Sequence, residues 1–213
     1  DTMDARHASI RWFAGADVGF AIGPSQVDPR TGEILDADIG MSDVFARSAR
    51  RLVVEDVGRA AVDPNAAVRA DPLDVRQQAL ICSYAVEAAH ELHFAMDLLE
   101  ARGLDMDGAE ADAIAQAYVK NVIMHEVGHT LGLRHNFRAS TAYALSRLSD
   151  PEFTRQHGIT ASVMDYTPYN LALSGEKQGE YVQSTIGPYD YWAIEYAYAP
   201  LAPLQEKAEL ARI

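Results

Sequence analysis

The stretch MHEVGHTLGLRHNF, Met124–Phe137, constrains this chain more than any other, because it sets His125, Glu126, His129, Gly132 and His135 at fixed spacing. On a helix, His125 and His129 stand one turn apart on the same side, about 6 Å from each other. Two imidazoles so placed converge on one ion at bonds of about 2.0–2.1 Å. Glu126 is rotated from His125 by about 100°. It does not share the same bond direction, but it reaches a water on the metal, which is the HExxH arrangement of a zinc hydrolase. Gly132 lets the chain leave the helix through a left-handed conformation without a Cβ clash. The turn brings His135 back toward the ion. Three neutral nitrogen ligands and one open position make a catalytic site rather than a structural one. The competing account is a buried helix whose histidines bond only to carbonyls or carboxylates. It requires several buried polar rings and a glutamate, with no ion to offset their desolvation.

The apolar pattern predicts that this helix starts at Asp107 and ends near Leu131–Gly132. Asp107, with Glu110 three positions on, forms the Asp version of a capping box. Ile114, Tyr118 and Val122 fall on one face and Val119, Ile123 and Val127 on the other, so the helix is expected to be apolar nearly all round and buried. A second long helix is expected from about Val75 to Arg102, stopped by Gly103.

Strand signals concentrate near the start. Ser9–Ala14 is β-branched and aromatic, and Val18–Ile22 reads as a second strand. After the turn VDPRTGE, residues Glu33–Met41 alternate imperfectly between apolar and polar, as a half-buried or edge strand does. Its acidic side chains discourage chain-to-chain pairing along an open edge. Ser42 is expected to cap a helix running to about Val57, and Asp56–Asp74, with two Asp-Pro pairs, reads as an irregular excursion. Beyond Arg138 the chain is turn-rich until Pro188–Tyr198, a helix with proline at its first position and Pro200 past its end.

Composition narrows the partners. The chain has 213 residues, 48% of them hydrophobic, enough for one sizeable core divided into two lobes. With 18 Lys+Arg against 31 Asp+Glu, the net charge is −13, which repels phosphate backbones and argues against nucleic acid as a partner. No apolar run is long enough to span a bilayer, and the first residues show no signal peptide. The single cysteine, Cys82, excludes an internal disulfide and is expected to be a small core residue.

With these motifs in place, the chain resembles a metzincin zinc endopeptidase. SVMDY, Ser162–Tyr166, matches the second signature of that group, a methionine-containing turn under the metal. The resemblance implies that Met164 is the Met-turn residue, an apolar floor beneath the histidines. Tyr166 matches a tyrosine that astacin-like and serralysin-like members use on the metal or on the reacting oxygen. PYDYWAIEYAY is similar to the C-terminal helix of serralysin-like members. The segments VDPRTGEI, MDLLEARG, MHEVGHTLGLRHNFRAS, SVMDY and TIGPYDYWAIEYAY are similar to a group of large bacterial zinc-dependent metalloproteases. Metzincins begin with a strand and a long backing helix before the strand at Ser9. The chain is therefore expected to be part of a larger protein, with upstream segments as its partners. A secreted or periplasmic location is implied by the resemblance alone.

The expected fold is an α+β, metzincin-like single catalytic domain over residues 1–213. Its upper subdomain, 1–132, has a mixed sheet, long helices and an insertion at about 42–74. Its lower, irregular subdomain, 133–213, carries the Met-turn and the last helix, and zinc sits in the cleft. The expected function is endopeptidase cleavage of a peptide or protein substrate, with Zn²⁺ on His125, His129 and His135. Glu126 acts as general base, and Tyr166 donates to the oxyanion. In metzincins a sheet edge lines the cleft, and the resemblance gives that role to Asp36, Asp38, Ile39 and Gly40 of the Glu33–Met41 strand. The rivals are a zinc amidase acting on a non-protein amide, and a degenerate protease that holds peptides without cutting them. Intact Glu126 argues against the second.

Other residues carry less. His90 and His93 are three apart without completing HExxH, and a packing or surface role is expected. The acidic run Leu104–Asp112 places its glycine too early for an EF-hand loop, and a helix cap accounts for it. Tyr189, Tyr191, Trp192, Tyr196 and Tyr198 are expected to pack the final helix.

Overall fold

The structure is a computed structural model that describes residues 7–14, 21–42 and 84–213. The chain forms two compact units, one ending at Arg134 and one starting at His135. The expected cap role of Ser42 toward a helix reaching Val57, the excursion 56–74, Cys82 and the first part of the helix expected from Val75 lie outside the described residues, although Ser42 itself ends a strand.

The first unit holds a mixed sheet of strands β1 (Ser9–Phe13), β2 (Ala21–Ile22), β3 (Ser25–Val27) and β4 (Ile34–Ser42). β4 is its centre. β1 pairs with it in parallel, Ser9 opposite Asp38 through Phe13 opposite Ser42. On the other side β2 and β3 pair with it antiparallel, with Ala21 opposite Met41 and Ser25 opposite Ala37. The edge role expected for Glu33–Met41 is therefore corrected for its second half: Asp38–Ser42 pairs with β1, and Gly40 and Met41 pair with β2 as well, whereas Ile34–Ala37 pairs with β3 alone among the described residues.

The side chains of β4 explain why it is central. Ile39 and Met41 are buried on one face. Asp38 faces β1, where its carboxylate accepts from the backbone N–H and the hydroxyl of Ser9 and from Arg11 Nη2 at 2.6 Å. The Ser9 hydroxyl foremost, and Arg11 after it, hold the Asp38 carboxyl below its ordinary value. Asp36 accepts from the N–H of Ala37 and stands opposite Gln26, and Gly40 lies between Arg11 and Ile22. Asp38 thus serves the pairing of β1 with β4 and does not line an open edge.

Helix α1 (Tyr84–Ala101) buries Tyr84, Ala88, Leu92, Ala95, Met96 and Leu99, an apolar stripe at helical spacing. His90 is exposed. The helix closes in a Schellman turn at Gly103, with Leu104 N–H on Leu99 O and Gly103 N–H on Glu100 O. Helix α2 (Ala109–Thr130) packs on β4 and on α1. Two expectations for α2 need correction. Its N-cap is Gly108 and not Asp107, because Asp105 takes the N–H of Asp107 in a local turn that ends one residue later. Burial is one-sided: Ile114, Tyr118 and Val122 are buried, whereas Val127 is 38% exposed and Val119 and Ile123 are half-buried.

The second unit has little regular structure, so its backbone groups find side-chain partners instead. Short helix α3 (Pro151–His157) is capped by Asp150, whose carboxylate accepts from the N–H groups of Glu152 and Phe153. Buried Gln183 accepts from Ile159 and Thr160 N–H and donates to the carbonyls of Thr160 and Thr185. Helix α4 (Pro188–Tyr198) has the predicted bounds, and α5 (Glu206–Arg212) follows. The aromatic residues of α4 do not pack as expected. Tyr191, Trp192, Tyr196 and Tyr198 are exposed, and Trp192 lies 5.5 Å from Tyr189 and 5.7 Å from Tyr196 between ring centroids.

Candidate metal centre

The last turn of α2 carries His125 and His129 on one side, as the spacing requires. Their ring centroids are 4.8 Å apart and nearly perpendicular, at 84°. His125 is fully buried, and so is Glu126 beside it. The helix then ends in a second Schellman turn. Gly132 has φ +84°, Leu133 N–H reaches Gly128 O, and Gly132 N–H reaches His129 O. This turn acts on the site in two ways. It reverses the chain so that His135 follows, and it presents the Leu133 carbonyl to His129.

The second effect settles the tautomer of His129. Its Nδ1 lies 3.0 Å from Leu133 O. A carbonyl only accepts, so Nδ1 carries the proton and Nε2 keeps its lone pair for a ligand bond. Burial lowers the pKa of His129, which favours the neutral ring a metal requires.

The possible ligand nitrogens of His125, His129 and His135 all lie within 4.8 Å of one another. In a tetrahedral zinc shell with bonds of about 2.0–2.1 Å, nitrogen ligands stand about 3.3 Å apart. Rotation of side chains closes such a difference. Donor type, number and spacing, with the protonation of His129, therefore fit zinc, and these residues would hold it.

Within the second unit, the hydroxyl of Tyr166 lies 3.2 Å from His135 Nε2, with the two rings edge to face at 4.7 Å. Phe137 stacks on His135 at 5.5 Å and meets Tyr166 edge-on at 5.0 Å, yet is 58% exposed. Met164 is fully buried, and its carbonyl accepts the N–H of Asn136, the residue after the third histidine. The turn itself is held by Asp190 of α4. One carboxylate oxygen accepts from the Ser162 hydroxyl at 2.6 Å, and the other from the N–H groups of Val163 and Gly187. Ser162 Oγ in turn accepts from Met164 N–H.

Sequence reasoning missed Leu133, Phe137 and Asp190. Asp190 left a signal, since an acid three residues into a helix commonly reaches back to the cap N–H. Phe137 and Leu133 left none, because their roles depend on where the turn delivers them.

No curated protein and no solved structure matches the chain. A family model described as Met-zincin matches residues 107–213.

Proposed function

The chain belongs to the Met-zincin family, and from that premise we propose that it is a zinc-dependent endopeptidase. The observation that carries this is the convergence of three histidine nitrogens within 4.8 Å of one another, on the motif that also supplies Glu126. A zinc ion there would lower the pKa of a bound water and polarise a scissile carbonyl.

The residues of the chain do the rest. Glu126 takes a proton from the attacking water and later delivers it to the leaving amine. Its burial removes competing solvent, so the proton it carries has few other destinations. The Tyr166 hydroxyl donates to the oxygen on which negative charge develops, and its contact with His135 keeps it near the ligand set. The Asp190–Ser162 bonds keep the Met164 turn in one geometry.

Substrate pairing moves from β4 to the β2–β3 side. Gly23, between those strands, sits so close to α2 that a Cβ there would lie 2.4 Å from the carbonyl oxygen of Glu126. Among the described residues nothing pairs with the outer side of β2 or β3. An extended peptide adding a strand there would run beside the general base, its main chain held and its side chains free to vary. A secreted or periplasmic setting belongs to the same proposal and rests on the resemblance. Among the described residues no helix is long and apolar enough to cross a membrane.

The test is zinc analysis after dialysis, followed by digestion of a mixed peptide library with and without a chelator. One zinc per chain and chelator-sensitive cleavage are expected. Glu126→Ala should retain zinc and lose cleavage. Failure to bind zinc, or zinc binding with cleavage of non-protein amides only, would reject the proposal.

A further inference from the structure

Two polar side chains lie fully buried behind the first histidine, and no step above uses them. Tyr84, at the start of α1, is 2% exposed, and its ring stacks on His125 with centroids 4.3 Å apart and planes 29° from parallel. Asn121 is 2% exposed and lies on α2 one turn before His125. Its side-chain nitrogen donates to the Tyr84 hydroxyl. Its carbonyl oxygen has no hydrogen-bond partner among the described residues. An amide flip would exchange the two atoms and still leave one of them open.

A purely structural core has no need of this arrangement. Phenylalanine and leucine would fill the same space without burying a hydroxyl and an amide. What the pair does is fix a ring. The Tyr84 hydroxyl is tied to the helix that carries His125, so the tyrosine ring cannot slide, and the face of His125 lies against it. A metal-binding imidazole needs such support, because its bond to the ion is made along one direction in the ring plane. His129 obtains its orientation from Leu133 O, through its own Nδ1. His125 has a different device, a flat aromatic wall held in place from the same helix.

We propose that Tyr84 and Asn121 are positioning residues for His125, setting the plane of its imidazole for the metal. This rests on the three-histidine zinc reading and extends it to residues outside the motif. Neither residue belongs to the three-histidine ligand group.

The test uses the full chain carrying Tyr84→Leu, Tyr84→Phe or Asn121→Leu. Folding is checked by circular dichroism and thermal melts. Zinc affinity is read by competition with a chromophoric chelator, and ligand geometry by the visible absorption of the cobalt-substituted protein. Loss of support around a metal ligand typically costs about 10–100-fold in metal affinity. Tyr84→Leu should show a loss of that order and an altered cobalt spectrum. Tyr84→Phe keeps the ring but loses its tie to Asn121, and Asn121→Leu loses the same tie, so both should show a similar loss of affinity, smaller than that of Tyr84→Leu. Wild-type zinc affinity and cobalt spectrum in folded Tyr84→Leu would overturn the proposal, as a lower melting temperature alone would then mark a structural role. If that variant does not fold, wild-type affinity in both Tyr84→Phe and Asn121→Leu overturns it. If the unaltered chain binds no zinc, the zinc reading itself fails, a result distinct from either.

Discussion

Gly132 gives the sharpest test of how the backbone builds the site. Its φ is +84°, and a Cβ placed on it would meet nothing within 4 Å among the described residues. Gly132→Ala therefore adds no clash with neighbouring groups, only the intrinsic cost of a left-handed conformation, about 1–2 kcal/mol for an L-residue. In a chain of this size that cost lowers Tm by about 2–8 °C if the turn keeps its shape. The turn has an alternative, which is to relax. Relaxation would pull Leu133 O off His129 Nδ1 and move His135, both of which zinc needs in place. A metal-free chain that relaxes keeps its stability, and zinc must then restore the strained turn. Its affinity would fall by about 5–30-fold, the equivalent of 1–2 kcal/mol. The two costs trade against each other, so melts of the zinc-free and zinc-loaded protein should be measured beside a chelator competition. Gly132→Asn should do less harm on both axes, because asparagine visits the left-handed region more readily. A Gly132→Ala protein with wild-type Tm and wild-type zinc affinity would refute the idea that this turn assembles the ligands.

Three further outcomes follow from single contacts. Tyr166→Phe should lower kcat with little change in KM, by up to about 10²–10³ if its hydroxyl serves as a full oxyanion donor; unchanged kcat on a peptide substrate would remove Tyr166 from the chemistry. Asp190→Ala leaves three donors without their acceptor in a buried site. At about 1–3 kcal/mol for each unsatisfied group, denaturant unfolding should show a loss of about 3 kcal/mol or more, and a loss under 1 kcal/mol would deny the tether. Asp38 has a folded pKa below its ordinary 3.8, so its contribution is complete above that value and disappears as pH falls through the folded one. Thermal melts of Asp38→Asn should therefore be less stable than wild type at neutral pH and converge with it in acid, whereas a gap that persists at pH about 2 would contradict the assignment.

What could be read from the sequence was the part fixed by short spacing. The i, i+4 histidines, the glycine three past the second, and the third histidine three past that all act within one helix turn and one reversal. Local geometry therefore determines their meeting. Gly103 and Gly132 both close Schellman turns for the same local reason, and Pro188 starts α4 where a first-position proline should. Asp107 failed as a cap even at short range. Two acids and a glycine compete there, and Asp105 captured the N–H that would have started a helix one residue earlier. The short helix α3 leaves no periodic signal, although Asp150-Pro151 spells an N-cap and a first-position proline, since seven residues are too few for a helical period to register.

The strand order failed for a different reason. Alternation along Glu33–Met41 describes which face is buried, but says nothing about how many neighbours a strand has. Acidic residues suggested an open edge, yet Asp38 is spent on Ser9 and Arg11, 29 and 27 positions away. Contacts of that range decide the site's supports as well. Tyr84 meets Asn121 across 37 positions, and Ser162 meets Asp190 across 28. What the sequence does carry is half of each such pair, in the form of a polar residue where the period calls for an apolar one. On the buried face of α2, the run Ile114, Tyr118, Val122 is joined by Asn121, which has no local reason to be there. A buried amide one turn before a metal ligand marks a partner arriving from elsewhere in the chain, and α1 supplies it with a tyrosine.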